Sequence, residues 1–432
     1  MKKILAAVLF LLLVPVHAAT DAGPSDIAGA LRASARQHRP VLIDFHAAWC
    51  YSCYYMASHV LNGPDWAAVR RRAIVVDADA DSPDGQAWMN KLRVSFLPSY
   101  VVLDEHGDEL GRIAAEQPRR TFYSRIDAIL AHGDTLAVLK ASAAKGSVDA
   151  AVQVLDAYQA RSEGAAGLAW FDALPPSFRK RAAQNADVNL ALERLALAKA
   201  VASHDEPAVI ASAGKVLAGD IGCDRPYVLD DLLQASKALP EARRRALLAA
   251  QRQPLDRYLD SRVFVAAPTC ADQRSAVLAS ADLDAALGDP AAESAVLDRA
   301  IRLDRQRLGA DLASDRNLAD VLRVYLERAR RAAELDHYLQ QLIAAYPDDY
   351  VYAYRYGRRL LAAGQPAQAL PWLQKAADKA YGANRLAVAE VRVKALKALN
   401  RQADAEKVVA EALKQNGPWF PEQVAKLKAA LG

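Results

Sequence analysis

Cys50 and Cys53 stand three positions apart, directly behind the run Pro40-Val41-Leu42-Ile43-Asp44-Phe45 and immediately after Trp49. The run reads as a buried strand, and the cysteines open the helix that follows it. A thiol at a helix N-terminus faces the positive end of the helix dipole and unpaired backbone N–H groups, which favour its thiolate. The second thiol lies one turn deeper on the same face, within reach of the first sulfur. Such a pair can attack a disulfide with one sulfur and resolve the mixed disulfide with the other. Cys50 is then the exposed nucleophile and Cys53 the buried resolving thiol. No cofactor is required, because the electrons reside in the dithiol.

Two other chemistries are open to residues around the pair. His46 and His59 could join the cysteines as ligands for zinc or copper. His59, six residues past Cys53, falls on a different helical face, so no metal site is expected. Tyr51, Tyr54, Tyr55 and Tyr100 surround the pair and could form an apolar rim for an extended polypeptide. No phosphate-cradling glycine loop, Ser-His-Asp arrangement or dinucleotide fingerprint is present.

The elements that must hold the cysteines follow from periodicity. Ala73–Ala78 reads as a second buried strand, and Trp88, Met89 and Leu92 have helix spacing. Tyr100–Leu103 and Glu109–Ile113 flank a hairpin turn, Asp104-Glu105-His106-Gly107-Asp108. A closing helix follows Pro118, with Phe122, Ile126, Ile129 and Leu130 on one stripe. The order β-α-β-α-β-β-α gives a small α/β layer fold over residues 19–133.

From Asp134 to the end the strand signals stop, and Ala- and Leu-rich helices follow one another. Gly364-Gln365-Pro366-Ala367-Gln368-Ala369 aligns with Asn400-Arg401-Gln402-Ala403-Asp404-Ala405. The spacing of small residues here is that of tetratricopeptide helix pairs, in which each pair buries its apolar face only against neighbours. Residues 134–432 are therefore expected to form an all-α, tetratricopeptide-like repeat domain.

Lys2 and Lys3 followed by an apolar stretch to Val16 and then Val16-His17-Ala18 give the pattern of a cleaved secretory signal over residues 1–18. Export, most simply to the periplasm, is expected, with no later membrane span. The formal charge is only +4 over 432 residues, and basic runs such as Arg243-Arg244-Arg245 sit among acids, so nucleic acid is not the expected partner. In an oxidising compartment the remaining two cysteines, Cys223 and Cys270, suggest a structural disulfide worth about 4 kcal/mol.

The run Asp44-Phe45-His46-Ala47-Ala48-Trp49-Cys50-Tyr51-Ser52-Cys53 resembles the thioredoxin superfamily, most closely the C-terminal domain of the DsbD thiol:disulfide interchange proteins. Met56, Val60 and Asn62-Gly63-Pro64-Asp65 extend the likeness, and Leu97-Pro98-Ser99 matches the superfamily's Ile-Pro-Thr element. The resemblance implies a thioredoxin-like fold across about 110 residues and a cis bond before Pro98. It implies a substrate strand lying along Leu97 and Ser99, with Trp49 and Tyr51 beside it. It also implies that Asp44 lies below the disulfide, where desolvation raises its pKa and lets it exchange the Cys53 proton. Tyr51-Ser52 replaces the Gly-Pro of thioredoxin, and no histidine separates the cysteines. The reading that follows is an exported thiol-disulfide oxidoreductase, leaning towards a reductase or interchange role on protein thiols and disulfides, with helical repeats that recruit a protein partner. The alternatives are a binding scaffold with an accessory redox domain, or a disulfide oxidase or isomerase.

Overall fold

A computed structural model describes residues 26–432. The expected leader over residues 1–18 lies outside the described residues. The N-terminal unit is built on four strands: β1 Val41–His46, β2 Ile74–Asp79, β3 Ser99–Leu103 and β4 Glu109–Ala114. They lie in the order β2-β1-β3-β4, with β1 and β2 parallel and the other neighbours antiparallel. Every strand expected from the sequence is present. The helices are α1 Ile27–Gln37, α2 Tyr51–Tyr55, α3 Gly63–Arg72, α4 Pro83–Leu92 and α5 Arg119–His132. The sequence reading lacked α1, whose buried face, Ile27, Ala30, Ala33 and Ser34, is mostly small residues.

Strand alternation divides this unit into two apolar layers. Val41, Ile43 and Phe45 face one layer with α1, while Leu42 faces the other with Met56, Trp66, Phe122 and Ile126. Asp44 shares the Leu42 face, on the side where the cysteine helix packs. That helix continues from α2 into one π-helical turn, Met56–Val60, whose Met56 and Val60 are buried in the same layer.

Beyond α5 the described chain is helical, and helices of two kinds alternate. One set comprises Ala186–Ala202, Arg225–Ser236, Gln273–Leu287, Arg316–Arg328, Val351–Ala362 and Gly382–Ala398. The other comprises Glu206–Leu217, Glu241–Tyr258, Pro290–Leu308, Ala332–Ala345, Pro366–Ala377 and Gln402–Asn416. Five of the six junctions from the first set to the second carry a left-handed residue: His204, Gly288, Arg330, Gly364 and Asn400. Helix crossings are close where the small residues stand. A Cβ on Gly357 would lie 2.6 Å from the Leu373 side chain, so glycine there permits the contact.

One continuous apolar core runs through this module from Leu197 to Ala395, and Ala48 and Tyr51 of the N-terminal unit pack against it. The two parts also meet through charge: Glu109 on β4 pairs with Arg112 and with Arg161, both at 2.7 Å. Among the described residues, no helix is long and apolar enough to cross a membrane.

Candidate active site

Cys50 is the N-cap of α2, and its sulfur accepts a hydrogen bond from the Cys53 backbone N–H at 3.1 Å. This is the geometry that stabilises a thiolate once the bond is reduced. In the structure Cys50 and Cys53 are joined as a disulfide. The Leu97–Pro98 peptide is cis. Leu97, Met89, Ala47 and Ala80 pack around the sulfur pair.

Asp44 lies in register with Asp77 on one side and Tyr100 on the other. It is buried, and its Oδ1 has no hydrogen-bond partner among the described residues. Burial, helped by the charge of Asp77, pushes its carboxyl up to about 8. A group of that pKa on the face beneath the cysteine helix can take and return a proton at neutral pH.

Around this pair the structure departs from the expectations at Cys50, Tyr100, Ser99 and Tyr51, and not at Trp49 or His59. Cys50 is 4% exposed and Cys53 9%, so the expected contrast between an exposed and a buried thiol is absent in the oxidised form. Tyr100 is a core residue rather than part of a rim, meeting Phe122 edge-on at 5.0 Å. Ser99, expected to face a substrate, is buried and turns its hydroxyl back to the Phe96 carbonyl at 2.8 Å. Trp49 is 44% exposed, held by an indole N–H donated to Asp81 Oδ2 at 2.9 Å. His59 pairs with Asp315 at 2.9 Å, away from the cysteines.

Tyr51 is the largest departure. Expected on a substrate-facing rim, it is instead clasped by the helical module. Its ring lies under the Arg274 guanidinium, 3.1 Å from the ring centre, and its carbonyl accepts from Asn317 Nδ2 at 2.9 Å. Its hydroxyl donates to Asp272 Oδ2 at 3.2 Å. Arg316 stacks on Tyr54 at 4.1 Å, Arg355 donates to the Trp49 carbonyl at 3.3 Å, and the Ala383 N–H bonds the Asp81 carbonyl at 3.0 Å. Arg355 is held by Asp320, a fully buried carboxylate that also pairs with Arg323 at 3.1 Å.

These contacts all come from the first set of helices, four consecutive members of which supply residues at or beside their N-terminal ends. Sequence spacing carries no sign of them, because each contact made to Trp49, Tyr51, Tyr54 or Asp81 joins residues more than two hundred positions apart. Cys223 and Cys270 form a second disulfide, with Cα atoms 5.5 Å apart. Two residues past Cys270, Asp272 caps the Gln273–Leu287 helix through the Ser275 N–H at 2.9 Å.

A thioredoxin-like family profile matches residues 22–105. The N-terminal unit is a thioredoxin-like domain. Over 98 residues the chain is 33% identical to a thiol:disulfide interchange protein TxlA homolog of Synechocystis, covering 22% of this chain and 51% of that protein. It is 29% identical over 110 residues to the thiol:disulfide interchange protein DsbD of Pseudomonas fluorescens, covering 24% of this chain and 19% of that protein. The chain thus spans about half the length of the first relative and a fifth of the second. A thioredoxin from Thermus thermophilus aligns at 26% identity and a TM-score of 0.24, over 25% of this chain and 87% of that one. The matched stretch contains the cysteine pair, Asp44 and the cis-proline of the thioredoxin-like domain. The helical module lies beyond it.

Proposed function

We propose that this chain is an exported thiol-disulfide oxidoreductase that works on protein disulfides, as a reductase or interchange protein. The observation that carries the reading is Cys50 at the N-cap of α2, bonded to Cys53 on the strand face that bears a buried, high-pKa Asp44. The likeness to interchange proteins supports it, and the leader-like N-terminus supports export.

In the reduced state the Cys50 thiolate attacks one sulfur of a substrate disulfide and expels the other as a thiolate, which takes up a proton. Asp44 in its ionised form accepts the Cys53 proton. The Cys53 thiolate then attacks Cys50 Sγ, releasing the second substrate thiolate and closing the Cys50–Cys53 bond. Two electrons pass to the substrate, and an external dithiol must return them before the next turnover. Leu97 packs on the sulfur pair, and the closely packed oxidised form must open for the external dithiol to reach the sulfurs.

The helical module enters the reading as a holder of the redox helix. Its repeats grip Trp49, Tyr51 and Tyr54, so a partner recruited by the repeats would meet the disulfide at the seam between the two parts. The deciding test is the Cys53→Ser chain, which should accumulate a mixed disulfide through Cys50 with a reducible protein such as insulin. A chain that reduces insulin normally with Cys50→Ser would sink the proposal.

A further inference from the structure

The seam between the thioredoxin-like domain and the helical module opens into a groove of about 880 Å³, a size suited to a bound ligand or peptide segment. It starts beside the cis-proline loop at Phe96 and Ala115, whose N–H bonds the Pro98 carbonyl at 3.0 Å. Three large apolar side chains exposed to solvent line this one groove: Phe96 at 36%, Val201 at 39% and Tyr227 at 42%. Scattered exposed apolar residues need no explanation, but three converging from separate elements on one cleft do.

The charges in the groove do not balance. Arg194 is matched by Asp224 at 2.8 Å, Arg125 faces Asp156, and Arg262 turns to Asp220 at 3.2 Å. Among the described residues, Glu116, Asp231 and Asp272 have no ion-pair partner. Among the described residues Asp272 accepts from hydroxyl and N–H donors, with the Tyr227 hydroxyl at 2.7 Å, Tyr51 at 3.2 Å and the Ser275 N–H at 2.9 Å. Burial raises Asp231 to about 6, helped by Asp230, and burial beside the charge of Asp272 pushes Glu116 up to about 8, so that at neutral pH Glu116 is largely protonated and the surplus negative charge rests on Asp231 and Asp272. Carboxylates crowded this way favour a cationic guest. The Cys223–Cys270 bond ties together the two loops that form the far wall, so the groove is held in shape before anything binds.

We infer that this groove docks the polypeptide that carries the substrate disulfide, and that it selects an extended segment with basic side chains among apolar ones. The inference rests on the redox reading above and adds a substrate class to it. Glu116 and Asp272 connect the two ends of the site, since both line the groove and also the small cavity against Tyr51 and Ser52. A basic segment along Phe96 and Tyr227 would therefore lead its disulfide towards Cys50.

The test compares two cyclic peptides, identical except for three lysines or three glutamates beside their single disulfide, with neutral hydroxyethyl disulfide as the third substrate. The full chain should reduce the lysine peptide with a kcat/KM about tenfold above the glutamate peptide. The gap should close in high salt and shrink in Asp231→Asn, whose rate on hydroxyethyl disulfide should stay unchanged. Linear peptides with serine for cysteine, titrated by calorimetry, read the groove without any redox step, and the lysine form should bind more tightly. Equal rates and equal binding for the two peptides would overturn the inference while leaving the redox reading intact. Selective binding with no turnover of any disulfide would support the groove and overturn the redox reading instead.

Discussion

The Tyr51 hydroxyl meets Asp272 at 3.2 Å, joining the residue next to Cys50 to a residue two positions from Cys270. One hydrogen bond thus links the neighbourhoods of the two disulfides, and Arg274 covers the same ring. Tyr51→Phe removes the hydroxyl alone and should cost about 1 kcal/mol of stability. Tyr51→Ala also removes the stacked ring and should cost about 3 kcal/mol. Urea unfolding of the two oxidised variants measures both. Equal loss in the two would show that the ring contributes nothing.

Asp44→Asn separates the proton role from the packing role. Exchange should slow at neutral pH and recover in alkaline buffer, where thiols ionise unaided. Stability should move the other way. The folded carboxyl titrates near 8 and the unfolded one near 3.8, so the native protein loses stability as pH rises through that window. The loss is on the order of 5 kcal/mol when complete. Asparagine has no such loss, so its advantage in urea unfolding should grow from pH 4 to pH 8 and then level off. A constant difference between the two proteins would mean that Asp44 is not shifted.

The second disulfide should be structural. Replacing Cys223 and Cys270 with alanine should remove about 4 kcal/mol, the loop-closure value for this separation, and should loosen the groove wall. Thiol labelling of the denatured chain without reductant should modify neither cysteine. Labelling of both would refute the bridge.

Gly382 tests the seam itself. Its φ is +51°, and a Cβ there would lie 1.9 Å from the Asp81 carbonyl oxygen, while the neighbouring Ala383 N–H bonds that same oxygen. Gly382→Ala must push the Gly382–Ala398 helix off the loop that holds Trp49. A cost of 1–3 kcal/mol is expected, together with a changed Trp49 environment in near-ultraviolet circular dichroism. An unchanged spectrum and midpoint would show that the seam yields without consequence.

Much of the thioredoxin-like domain was legible because its signals are local. Strand alternation, a cysteine pair at a helix start and a proline before a strand each occupy fewer than ten residues. The helix α1 escaped because alanine and serine make up most of its buried face. In the helical module the shared turn was readable at Gly364 and Asn400 and faint elsewhere. The structure puts His204 and Arg330 in the same left-handed turn that Gly364 adopts, so an eye trained on glycine passes over them. The clasp on Tyr51 could not be read at all. Its partners, Asp272, Arg274 and Asn317, are ordinary helix-terminal residues until the fold brings them together.

The order of the gripping helices along the chain has a consequence for how the chain is made. The cysteine-bearing domain leaves the ribosome first and holds every residue of its own core, so it can close before the helical module exists. The grips then arrive in order of synthesis: Asp272 and Arg274, Arg316 and Asn317, Arg355, and last Ala383. The nascent domain is therefore a mandrel on which the later helices are wound, and the residues beside its sulfur pair are gripped in full only when the Gly382–Ala398 helix arrives.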